Sequence, residues 1–270
     1  MWTTAAESRP VESLPKPAGE WTRDHAAATC FFRASNWYPP VLAGVRTLEE
    51  WLFAAGLIEE AAALTERLSP DDYGTYVTAW YREGLARYGS SWRYADIVTA
   101  LLAASRRLVP ERYLEIGVRR GRSLCTVASQ APDCALYGFD LWVSNYAGIE
   151  NPGPEFVRTE LDRVGHRGSV QFVNGNSHQT LPAFFAAHPD LTFDLITVDG
   201  DHSTLGAAQD ICDVIPRLRI GGILVFDDVC HPALPGLRQV WQELVASQPR
   251  FSAVTFDEAG YGVGMAIRRF

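Results

Sequence analysis

Residues Tyr113–Leu124 read YLEIGVRRGRSL. The opening has strand character, Gly117 and Gly121 bracket a turn, and RSL begins a helical run. A strand, a glycine turn and a helix form the first step of an alternating α/β chain. Glycine has no Cβ, so the backbone can turn sharply there and let a ligand approach closely. The dinucleotide fingerprint G-x-G-x-x-G, started at Gly117, requires glycine at positions 119 and 122. Both are arginine. No Gly-Lys-Ser/Thr follows, so the phosphate-cradling Walker loop is excluded as well. An ordinary strand-to-helix turn remains the competing reading of this loop.

Downstream, short apolar runs alternate with helical segments. The pattern predicts strands at 112–116, 135–140, 170–173, 193–198 and 222–226. Helices are predicted near 122–130, 154–164, 179–187, 203–217 and 235–247. Alternation of this kind argues for a parallel sheet covered by helices on both faces. Two more extended runs, FSAVTF and GVGMAIRR, close the chain with Gly260 and Gly262 between them, which suits antiparallel pairing. Upstream, no strand is evident in the first hundred residues. Residues 1–20 read as a loose leader and 21–44 as an aromatic lid or packing arm. Thr47 and Glu50 fit a capping box. Gly56 is a candidate break in the helix that follows. Ser69-Pro70 marks another helix start, and Trp92–Leu108 a third helix. The expected division is 1–91 as leader and helical extension, used as lid or oligomer interface, and 92–270 as the α/β domain.

Composition narrows the function classes. With 24 Lys and Arg against 32 Asp and Glu, the net charge is −8. Such a chain has no general electrostatic attraction to nucleic acid or anionic membrane. The five cysteines show no metal-binding spacing, and reduced thiols in a cytoplasmic protein are the simple expectation. No apolar run approaches the ~18 residues of a membrane span, and no signal pattern opens the sequence.

The second strand ends at Asp140, about 20 residues beyond the glycine loop, where an acidic side chain can accept hydrogen bonds from ribose hydroxyls. A solvated strand-end acid is the plainer alternative. After the third strand, Asn176 and Ser177 can reach an adenine edge or cap the next helix.

Together, LEIGVRRG, the strand end at Asp140, DLITVDGDH and LRIGGILVFDD resemble the class I S-adenosylmethionine-dependent methyltransferases over roughly residues 92–270. The resemblance implies a Rossmann-like, doubly wound, mostly parallel seven-stranded sheet of order 3-2-1-4-5-7-6, with the seventh strand antiparallel. It places Glu115, Gly117 and Gly121 near the methionyl part of S-adenosylmethionine and Asp140 on the ribose. Ser123, Asn176, Ser177 and Asp199 join the expected cofactor-binding set. The cofactor carries no phosphates, in keeping with the missing third glycine.

In that sheet the fourth and fifth strands are neighbours, and their C-terminal ends face one crevice. LITVDGDHS ends the fourth strand at Asp199, and GGILVFDDV brings Asp227 and Asp228 to the end of the fifth, 28 residues on from Asp199. Three converging carboxylates repel one another unless a cation intervenes, and an all-oxygen set favours Mg²⁺. Asp199, Asp227 and Asp228 are therefore the expected metal ligands; separate, solvated strand-end acids are the alternative. The D-x-x-H run from Asp199 to His202 is similar to the mycinamicin-type sugar O-methyltransferases and to the broader macrocin-type and cephalosporin-hydroxylase-like group. By that resemblance His202 is the general base, with Asp199 beside it in catalysis. The mycinamicin-type pattern has Glu where Asp227 stands. Asp201 or Ser203 caps the next helix. His231 is the reserve base, Cys230 a packing residue, and Trp142 and Tyr146 either wall a pocket or pack the sheet edge.

The expected activity is metal-dependent methyl transfer from S-adenosylmethionine to a hydroxyl of a small molecule. A sugar of a glycosylated natural product is the leading acceptor, and a catechol-like phenol the next. Metal-free N-methylation and a catalytically silent binding protein are the alternatives. The family also suggests a homo-oligomer.

Overall fold

The computed structural model describes residues 43–145, 148 and 150–270. FFRASNWYPPV and Tyr146 lie outside the described residues. Four helices come first: α1 Val45–Leu52, α2 Leu57–Arg67, α3 Asp72–Tyr88 and α4 Ile97–Leu108. The alternating part follows as β1 Arg112–Ile116, α5 Arg122–Gln130, β2 Ala135–Asp140, α6 Pro154–Val164, β3 Val170–Asn174, α7 Ser177–Ala187, β4 Phe193–Val198, α8 Thr204–Val214 and β5 Leu218–Asp227. Helix α9, Gly236–Trp241, runs on into a wider π turn, and β6 Phe251–Phe256 with β7 Val263–Arg268 completes the chain.

The seven strands pair in the order β3-β2-β1-β4-β5-β7-β6. β7 runs antiparallel to both β5 and β6, and the remaining pairings are parallel. Every residue of β4 is buried, as a central parallel strand with both faces covered requires. β3, at the edge, has no buried residue.

Strand alternation divides the core. Tyr113, Leu195, Ile223 and Val225 point to the face covered by α1–α6. Leu114, Ile196, Leu224 and Phe226 point to the face covered by α7–α9. Helix α4 is buried over most of its surface, including Val98, Leu101, Leu102 and Leu108, because it lies between the sheet and α1 and α2. The N-terminal helices thus share one apolar cluster with the sheet.

Several boundaries differ from expectation. Thr47 lies inside α1, whose N-cap is Gly44 with no side-chain cap, so the Thr47–Glu50 capping box does not form. Gly56 does split the helices, in the left-handed conformation at φ +85°. α3 is capped by Asp71 rather than started by Ser69-Pro70. The third predicted helix begins at Ile97, where Asp96 and Thr99 make the reciprocal box that fixes its start. β5 starts four residues early because an irregular register past β4 absorbs Arg219–Gly222. No helix among the described residues is long and apolar enough to cross a membrane.

Candidate active site

The C-terminal ends of β1–β4 surround a cavity of about 250 Å³ lined by Gly117, Arg119, Asp140, Asn176, Ser177, Asp199 and His202. Gly117 has φ +90°, and a Cβ there would overlap the carbonyl oxygen of Asp199. Only glycine lets the β1 turn lie against the end of β4. Asp140 organises the wall opposite. Its Oδ2 accepts the Arg119 N–H at 2.7 Å and its Oδ1 the Trp142 N–H at 2.5 Å. Arg119 and Trp142 both hold left-handed backbones, at φ 55° and 54°. One carboxylate thus anchors two strained turns. Each of its oxygens has a further acceptor position, so Asp140 can still receive hydroxyl donors.

Asn176 satisfies both of its readings. Its Oδ1 accepts the His178 N–H at 3.0 Å as the cap of α7, and the residue lines the cavity. Three members of the expected cofactor set lie behind the wall instead. Glu115 is 1% exposed and accepts the Tyr113 hydroxyl at 2.9 Å, and burial pushes its carboxyl well above the usual range. Gly121 turns the chain into α5 against Val157. Ser123 is buried in the first turn of α5.

At the cavity mouth, Asp199, His202 and Asp228 bring one ligand atom each within 4.8 Å of one another. His202 Nε2 lies 3.2 Å from Asp199 Oδ1 and 3.5 Å from Asp228 Oδ2. The Asp199 hydrogen bond raises the imidazole pKa above its ordinary value, against burial, with further help from the charges of Asp199 and Asp228. Burial and the Asp199 charge push Asp228 up to about 6, while His202 and Arg119 pull it down. Asp228 turns in at φ 59°, one residue past the strand end.

Asp227 does not belong to that set of three. It has the parity of Ile223 and Val225, so its side chain leaves the strand on the α1–α6 face. There it joins a second cleft of about 270 Å³, lined by Tyr73, Tyr76 and Trp80 of α3 with Tyr94, Arg122, Asp228 and Tyr261. Burial, then the charges of Asp199 and Asp228, raises its carboxyl well above the usual range, so it stays within electrostatic reach of the cluster. Asp228 lines this second cleft, and its neighbours Asp199 and His202 line the first.

Carboxylates that raise one another's pKa are a donor set with surplus negative charge. Oxygen ligands of this kind fit a hard divalent cation. Here the His202 ring sits between two of them.

The remaining predicted residues have plain roles. Ser203 caps α8 through the Gly206 N–H, and Asp201 accepts the Ser203 N–H. His231 packs on Tyr261 and accepts the Ala233 N–H, and it is not one of the three clustered residues. Trp142 packs edge-on against Phe172 and donates to Asn174. Sequence reasoning passed over Arg119 as a cavity residue and the α3 aromatics as a wall. Arg119 figured only as a glycine that is missing; Tyr73, Tyr76 and Trp80 carry the helical spacing of an ordinary packed face.

A family model described as a methyltransferase domain matches residues 114–229. No curated protein matches this sequence. Among solved structures, a methyltransferase from Podospora anserina bound to SAH is 17% identical with a TM-score of 0.51, over 95% of this chain and 99% of that one. The O-methyltransferase TomG of tomaymycin synthesis, from Streptomyces achromogenes, is 20% identical with a TM-score of 0.54, over 75% and 92%. A TDP-rhamnose 3'-O-methyltransferase of calicheamicin biosynthesis is 20% identical with a TM-score of 0.50, over 78% and 92%. These likenesses agree with the observed strand order. Residues 114–229 are therefore a methyltransferase domain, set in the class I S-adenosylmethionine-dependent methyltransferase fold.

Proposed function

We propose that the chain is an S-adenosylmethionine-dependent O-methyltransferase that uses a divalent cation and acts on a hydroxyl of a small molecule. The observation that carries this reading is the Asp199–His202–Asp228 cluster at the junction of the two clefts. The first cleft suits a nucleoside without phosphates: it offers Asp140 to hydroxyls and Asn176 and Ser177 to a base edge. S-adenosylmethionine, when bound, supplies a methyl group already activated as a sulfonium. Asp199 and Asp228 would hold Mg²⁺, with Asp227 reaching from the other face, and the ion would lower the pKa of an acceptor hydroxyl.

His202 is the proton acceptor. Its ring lines the first cleft and its Nε2 stands 3.5 Å from Asp228 of the second, where a neutral imidazole can take the hydroxyl proton as the oxygen attacks. Asp199 Oδ1, 3.2 Å from that same nitrogen, accepts the Nε2 proton once it has been gained and so stabilises the imidazolium that forms. The α3 aromatics form the wall that positions the acceptor and excludes water. Aromatic faces beside carboxylates suit a sugar ring, which stacks through its C–H face and donates through its hydroxyls. The TDP-rhamnose enzyme, which shares the fold, acts on such an acceptor. No lysine or arginine run favours nucleic acid as the acceptor, and a homo-oligomer using the α1–α3 side remains part of this proposal.

Calorimetry with S-adenosylhomocysteine, with and without Mg²⁺, tests the reading. Binding is expected in both conditions, and turnover should vanish in EDTA and return with Mg²⁺. No S-adenosylhomocysteine binding under either condition would overturn the methyltransferase reading; turnover indifferent to EDTA would overturn the cation.

A further inference from the structure

Behind the cofactor cavity lies a second cluster of ionisable groups that the proposed chemistry does not use. Asp210 of α8 has a fully buried side chain. His178 of α7 sits with Nε2 3.6 Å from Asp210 Oδ1 and 3.7 Å from Asp201 Oδ2. Asp213, one turn along α8 from Asp210, lies near His178 as well. Both ionic separations are too long for hydrogen bonds. His178 Nε2, Asp210 Oδ1 and Asp213 Oδ2 are all buried with no hydrogen-bond partner. Buried polar groups are ordinarily hydrogen-bonded, so a cluster of unpartnered atoms with complementary chemistry calls for an explanation.

The location supplies one. Asp210 is tied to both loops on the adenosine side of the cavity. It hydrogen-bonds the Ser177 side chain of the β3–α7 loop. Its Oδ2 faces the Asp201 N–H of the β4–α8 loop at 3.5 Å. Ser177, Gly200 and Asp201 all line the cavity. A Cβ on Gly200 would stand 3.1 Å from Asp210 Oδ2, so the carboxylate lies directly under that loop. A shift of a few tenths of an ångström would bring His178 onto Asp210 and Asp201 and draw the two loops together. Any ligand that favours the closed spacing gains those bonds as part of its affinity.

We infer that His178 and Asp210 are positioning residues, a latch that closes the β3–α7 and β4–α8 loops on the adenosine half of the cofactor. The inference rests on the cofactor reading above. It makes two demands. Loss of the latch must weaken nucleoside binding by the same factor whether or not the ligand carries the amino-acid part. A side chain that restores a donor toward Asp210 must restore affinity.

The test is calorimetry with S-adenosylhomocysteine and with 5′-methylthioadenosine, which lacks the amino-acid part. His178→Ala and Asp210→Asn should each weaken both ligands about tenfold, within the range of ordinary coupling between sites. His178→Gln should bind both like the wild type. His178 is partly exposed, so His178→Ala carries the test should Asp210→Asn fail to fold. Wild-type affinity in His178→Ala overturns the latch, as does a loss for S-adenosylhomocysteine without one for methylthioadenosine, or a His178→Gln no better than His178→Ala. A wild-type chain that binds neither ligand overturns the cofactor reading itself, and the latch with it.

Discussion

His202 stands between two carboxylates, and that position sets its titration. The bond to Asp199 favours the charged ring, so without a cation the imidazole should titrate above its ordinary value of about 6.5. A base must be neutral, so turnover should rise with pH through the midpoint of the cation-bound enzyme. A divalent ion beside Asp199 and Asp228 repels the proton and should move the midpoint down. Following the His202 ring by NMR with and without Mg²⁺ measures the shift; a midpoint indifferent to Mg²⁺ would remove the ion from this cluster. The stability sign runs the other way. A raised folded-state pKa stabilises the fold below the unfolded value, and that contribution is lost as pH rises through the folded pKa. His202→Gln should therefore abolish the part of the pH dependence of urea unfolding that falls in this window. His202→Ala should reduce turnover by about 10²–10⁴-fold while cofactor affinity stays nearly unchanged; unaltered turnover would take His202 out of the mechanism. The grouping of His202 with Asp199 and Asp228 was legible in the sequence because Asp199 lies three residues before it on a turn, with a second acidic strand end 28 residues on from Asp199.

At the level of elements, legibility followed locality. β1, β2 and β4, and helices α5 and α6, start and stop where the apolar runs do, because their boundaries are set by neighbouring glycines, prolines and polar residues. The start of β5 was not legible, since it depends on an irregular register against β4. The same strand explains the split of Asp227 from Asp228. Two adjacent acids in a sequence look like one pair of ligands, but Asp227 ends the strand and Asp228 lies in the turn beyond it. Only the left-handed turn at Asp228 sends one of them to the His202 side. Glu115 lies off the cavity lining for a related reason: parity puts it with Tyr113 beneath the α1–α6 face, where the two hydrogen-bond. The β1 turn gives a direct test of element geometry. Gly117→Ala places a Cβ against the Asp199 carbonyl at a positive φ. It should cost more than about 2 kcal/mol of stability and abolish S-adenosylhomocysteine binding. A variant with wild-type melting and affinity would show that β1 and β4 do not meet as described.

For the whole molecule, the question is whether residues 43–91 are an appendage or part of the core. The change in pattern at Arg112 suggests a separable extension, because the sequence shows where strands begin but not what a helix packs against. The structure joins the two parts at several points. Leu48, Leu52, Ala61 and Leu64 belong to the same apolar cluster as Tyr113, Ile223 and Met265. Glu160 of α6, 2% exposed, accepts both the N–H and the hydroxyl of Ser69 at 2.7 Å. Arg120 of the glycine loop pairs with Asp71, the cap of α3, at 3.0 Å, with both side chains largely buried. That pair ties the wall of the second cleft to the turn that shapes the first. Removing α1–α3 would bare one side of α4, where Leu101 and Leu102 are fully buried, and leave Glu160 a buried carboxylate without its Ser69 donors. A chain of residues 92–270 should therefore lose cooperative unfolding and bind a hydrophobic dye. Within the full chain, Leu101→Ala should cost about 2–5 kcal/mol, read by urea denaturation, as expected for a side chain in the middle of a core rather than at a docking surface. A truncated chain that melts like the full one would make the N-terminal helices a lid on an independent domain. In that case Arg120→Ala should alter acceptor selection and leave stability unchanged. If the helices are core, the same substitution lowers both.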